Sequence, residues 1–214
     1  MPESIDSLVQ NIEKNKANYK ELIESLITFG EEALKPLFDI SIKNYDLAGW
    51  DTIEENIGEA AMKALAEIGG AKAIDYLGLM LEIKWSDDWG TPNWNARCNA
   101  AELLDNFTPN SKVGDVAASA YMSVVKNKEE VGPNWSYDQH HGISCSDLME
   151  LLLSLIETNG IEGYKPPLKP DQIHETLETE FSGYCYECFK WVRPEMDEEE
   201  ELEYCPLCEA ELES

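Results

Sequence analysis

The chain has 214 residues, 43% of them hydrophobic, which suffices for one sizeable domain plus a small appendage and excludes wholesale disorder. Forty-three acidic residues face 16 basic ones, a formal net charge of −27 at pH 7. A field of that sign repels phosphate backbones, so direct nucleic-acid binding through a basic face is disfavoured and a basic protein becomes the natural partner, the alternative being acidity that serves only solubility or a salty cytoplasm.

The opening decapeptide MPESIDSLVQ has neither a basic n-region nor an apolar h-region, and no apolar stretch is of spanning length. The expected setting is therefore cytoplasmic and away from membranes. From there on, three segments close a helical apolar pattern alike: Leu26 to Phe29 before Gly30, Leu65 to Ile68 before Gly69, and Leu104 to Phe107 before Thr108 and Pro109. The spacing is 39 residues each time. Leu22, Ile23, Leu26, Ile27 and Phe29 are matched by Ala61, Met62, Leu65, Ala66 and Ile68, the stripe of a half-buried helix. A second helix follows in each unit, with Leu34, Leu37 and Ile40 matched 40 positions on by Ile74, Leu77 and Met80. Val113, Val116, Ala117 and Ala120 serve the third unit, where the alanines predict close helix approach. A fourth first-type helix carries Leu148, Leu151, Leu152, Leu155 and Ile156 and ends at Asn159 and Gly160. Helix pairs of this period cannot bury their faces alone, so residues 1–160 are predicted to stack as an all-α, right-handed solenoid.

The stretch Glu59 to Leu81, EAAMKALAEIGGAKAIDYLGLML, resembles a HEAT repeat of the lyase-type subclass. The resemblance spans residues 17 to 160, with Gly69, Gly70 and Ala71 standing where an Asp-Pro usually follows the turn. It implies a HEAT-like α-α solenoid, and it permits the cofactor-handling or attachment role that some members of that subclass have.

Long connections are expected at Asn44 to Asn56, Trp85 to Asn95 and Asn127 to Gly142, and each contains tryptophan. Pro-Asn-Trp occurs at Pro92 to Trp94 and again at Pro133 to Trp135, 41 residues apart, and Trp50 holds a comparable place in the first. Equivalent loops of a solenoid emerge along one edge, so Trp50, Trp89, Trp94 and Trp135, with Asp87 and Asp88, are the predicted partner-binding residues. The competing reading folds each indole back over its own helix pair.

His140, His141, Cys145 and Asp147 form the densest grouping of base, nucleophile and carboxylate, and a thiolate at a helix start beside histidine would be activated. No signature surrounds them, no catalytic residue is assigned, and the chain is read as a non-enzyme. Cys98 and Cys145 are expected to be buried, inert thiols within helices. Pro166, Pro167 and Pro170 make residues 161–180 a semi-extended linker, with a short helix predicted from Asp171 to Glu180.

Residues 181–214 contain Cys185-Tyr-Glu-Cys188, sixteen further residues, and Cys205-Pro-Leu-Cys208. This is the spacing of a four-cysteine zinc ribbon, a short β module in which four thiolates close a tetrahedron around Zn2+ and leave no position for catalysis. Rubredoxin-like iron is the alternative, against which Phe189 and Glu209 stand where glycines would follow each pair. Eleven acidic and two basic residues fall in this segment, including the run DEEEELE from Asp197 to Glu203, a solvated loop or an acidic finger. The whole reads as a non-catalytic adaptor or inhibitor that binds a larger basic or ribonucleoprotein assembly by two linked contacts. A lyase-like maturation factor and an acidic nucleic-acid mimic are the alternatives.

Overall fold

The structure, a computed structural model, describes residues 4–47, 52–82, 94–126, 145–161, 164–170, 172, 176, 183–185 and 190–192. Among them the chain is mostly helical, with α1 Ile5–Lys14, α2 Tyr19–Ile27, α3 Leu34–Leu47, α4 Ile53–Ile68, α5 Gly70–Glu82, α6 Trp94–Asp105, α7 Ser111–Lys126 and α8 Cys145–Thr158. Two 3-10 turns, Lys16–Asn18 and Gly30–Ala33, join α1 to α2 and α2 to α3. Strands β1 Gly183–Cys185 and β2 Lys190–Val192 pair antiparallel, Cys185 opposite Lys190.

Local chemistry sets the helix limits. Ser4 and Thr52 start α1 and α4 from extended backbone, their hydroxyls accepting from the Ser7 and Glu55 amides, and acidic residues fill the first turn of each. Gly69 ends α4 at a φ of 75°, a conformation that a side chain would strain, and Gly30 and Gly160 share the positive φ predicted from their place after apolar stripes. The first connection is shorter than its polar composition implies. α3 continues through Asn44 to Leu47 and α4 begins at Ile53, leaving residues 48–52 between them. Asn44 donates to the Ile40 carbonyl and Tyr45 is buried, so tertiary packing overrides their turn preference.

The helices pack as two layers. α2, α4, α6 and α8 touch one another in that order, and α3, α5 and α7 do the same behind them. The most extensive contacts join the layers, between α3 and α4, α5 and α6, and α7 and α8. α1, which lies before the repeating pattern, closes one end by burying Leu8 and Ile12 against α2 and α3. The predicted stripes form the core: Leu26, Leu37, Leu65, Leu77, Leu104 and Leu152 are all fully buried. Close approach of α5 and α7 rests on Gly78, where an added Cβ would fall 2.6 Å from Val116 Cγ1.

Candidate functional site

Alignment of equivalent positions shows how the layers hold register. Lys72 reaches back 41 residues to Glu31, 2.9 Å away, and Lys112 reaches back 41 residues to the Ala71 carbonyl, also at 2.9 Å. Lys112 additionally pairs with Asp75 at 2.6 Å. These two rungs occupy matching places, 40 residues apart, on successive helices of the α3, α5, α7 layer. Lys35 pairs with Asp39 and Lys43 with Glu13 on the same side.

The opposite layer is different in kind. Its four helices α2, α4, α6 and α8 carry eleven acidic and three basic residues, a net of −8, whereas α3, α5 and α7 carry five of each and are neutral. Glu21, Glu24, Glu67, Glu102, Asp105, Glu150 and Glu157 are exposed. Two of the three bases do not offset them at the surface. Arg97 is buried and donates Nε–H to the Leu81 carbonyl at 2.8 Å, and Lys63 is paired with Glu59.

After α8 the chain turns back. The proline-containing segment, expected from its composition to be a semi-extended linker, bends at Pro167 and Leu168 and packs against the helices. The Tyr121 hydroxyl of α7 donates to the Leu168 carbonyl at 2.6 Å, the rings of Tyr121 and Tyr164 meet edge to face at 6.2 Å, and Ile161, Tyr164 and Leu168 rest on the core. Asn159 anchors the turn by accepting from the Asn110 amide and donating to the Leu155 carbonyl. Sequence reasoning missed this strap because its partner, Tyr121, lies 47 residues upstream.

Cys145 does begin α8, yet it is fully buried. Burial, opposed by Arg97 and reinforced by Asp147, pushes its thiol up to about 12. Cys98 is likewise buried, and burial followed by the nearby Asp147 and Glu102 charges raises its pKa further. Both thiols are held protonated at neutral pH, the reverse of nucleophile activation. His140 and His141 lie outside the described residues.

Of the predicted partner-binding residues, Trp94 is the first residue of α6, while Trp50, Trp89, Trp135, Asp87 and Asp88 lie outside the described residues. Of the four predicted metal ligands, Cys185 ends β1, and Cys188, Cys205 and Cys208 lie outside them. Among the described residues no group of histidine, cysteine or acidic side chains is arranged to hold a metal, and no helix is long and apolar enough to cross a membrane. No family model, curated protein or solved structure matches this chain.

Proposed function

We propose that the chain is a non-catalytic adaptor or inhibitor, in which a HEAT-like α-α solenoid presents one acidic face to a basic surface of a larger protein or ribonucleoprotein assembly. The observation that carries this reading is the sorting of charge by layer, −8 on α2, α4, α6 and α8 against neutrality on α3, α5 and α7. Charge that served only to keep the chain dispersed would have no reason to favour one layer. A one-sided field steers and orients a partner of opposite sign. The protonated state and burial of Cys145 weigh against an enzyme built on that residue.

The same proposal gives residues 181–214 a structural zinc ion held by Cys185, Cys188, Cys205 and Cys208 in a reducing compartment. The pairing of Cys185 with Lys190 supports it, because the connection it closes, residues 186–189, contains Cys188. Both cysteines of the first pair then lie within the segment that the paired strands begin and end. The ion would crosslink a segment too small to hold itself together by apolar burial.

Affinity capture from the native cell tests the acidic face. Basic proteins are expected to be retained by the native chain and by Glu82→Lys/Asp115→Lys, and lost with Glu67→Lys/Glu102→Lys. Equal retention by both variants overturns the reading.

A further inference from the structure

Glu150, Leu153 and Glu157 share one stripe of α8, so a half-buried apolar side chain sits between two exposed carboxylates. Facing this stripe, the returning strap contributes Tyr164, Pro166 and Pro170, and the two walls enclose a groove of about 630 Å³. The far wall is fixed in place by the Tyr121 hydrogen bond to the Leu168 carbonyl, and its prolines limit how far it yields. The hydroxyl of Tyr164, one of the lining residues, is buried with no hydrogen-bond partner among the described residues. A polar group left so is costly, and an incoming acceptor or donor would relieve it.

We infer that this groove binds a basic amphipathic helix of the partner protein, a deeper form of the acidic-face reading on which it rests. The two carboxylates stand seven residues apart on α8, about 10 Å along its axis at a rise of about 1.5 Å per residue. A helix laid alongside presents cations at the same interval when Lys or Arg recurs every second turn, with an apolar residue between them to cover Leu153. Helix-in-groove recognition needs this combination of apolar anchor and flanking charge. Among the described residues Lys169 is the single cation on the rim, so the carboxylates decide the sign of the occupant. An anionic helix or a phosphate chain meets like charge there.

The test uses the full chain and a fluorescent Leu/Lys helical peptide of about 18 residues, beside a Leu/Glu peptide with the same apolar pattern. The Leu/Lys peptide is expected to bind, and the Leu/Glu peptide not to. Glu150→Gln/Glu157→Gln should weaken binding about tenfold, and Leu153→Ser about fivefold, while Glu21→Gln/Glu24→Gln at the far end of the same layer changes it less than about twofold. Tyr164→Phe supplies a separate readout: it should weaken the peptide about threefold without lowering the stability of the free chain, because only an orphaned hydroxyl is removed. Equal weakening by the two glutamate pairs overturns the groove and leaves the acidic face standing. Indifference to both pairs, or binding of the Leu/Glu peptide, overturns the two together.

Discussion

At position 78 the space between α5 and α7 admits no side chain beyond hydrogen. Alanine there would place Cβ 2.6 Å from Val116 Cγ1, and overpacking of that kind costs about 1–3 kcal/mol. That outweighs the roughly 0.5–1 kcal/mol by which alanine is preferred to glycine in a helix interior. Gly78→Ala is therefore predicted to lower the urea midpoint, and Val116→Ala in the same chain to recover part of the loss, a coupling that a double-mutant cycle reads directly. The buried thiols make a second residue-level prediction. Cys98 and Cys145 keep their protons in the folded chain well above the ordinary thiol value of 9.0, and burial raises Tyr45 likewise, the Asn99 hydrogen bond only partly opposing it. Above about pH 9 the unfolded chain binds fewer protons than the folded one, so stability falls as pH rises toward about 12. Urea midpoints measured from about pH 8 to about pH 11 should decline steadily, and less steeply in Cys98→Ala/Cys145→Ala.

Elements differ in how much of their placement local sequence contains. The apolar stripes of α2, α4 and α5 were legible because helical burial repeats at the helical period, and the glycines after them mark where the backbone turns. Asn44 and Tyr45 were not legible as helix, since what keeps them there is burial against a helix not yet formed; the Tyr45 ring lies where a Cβ on Gly58 would touch it. The strap shows the same limit: prolines announce an extended segment, but only the folded stack brings Tyr121 to the Leu168 carbonyl. Tyr121→Phe should therefore speed amide hydrogen exchange around residues 164–170, with a global loss of about 1 kcal/mol. Chelation should act elsewhere. If the four cysteines hold zinc, a strong chelator releases about one ion per chain and collapses the NMR dispersion of residues 181–214, while helical circular dichroism stays unchanged.

For the whole molecule, the sum of −27 was available at once, but the contrast between −8 on α2, α4, α6 and α8 and neutrality on α3, α5 and α7 was not. Runs of Glu and Lys along the chain alternate too finely to show a trend; it appears only when every second helix is assigned to one side. The neutral layer spends its lysines on rungs such as Lys72 to Glu31, and exposed pairs of this kind add little stability each. Repulsion within the acidic layer is the larger effect and is screened by salt. Raising NaCl from about 0.05 M to about 0.5 M should increase the melting temperature by several degrees, whereas a chain stabilised mainly by its surface ion pairs would lose stability.

A helical layer of net −8 set beside a neutral one behaves as a compass needle. Before any side chain makes contact, the potential of a cationic neighbour exerts a torque that turns α2, α4, α6 and α8 toward it, so that random collisions become aligned arrivals.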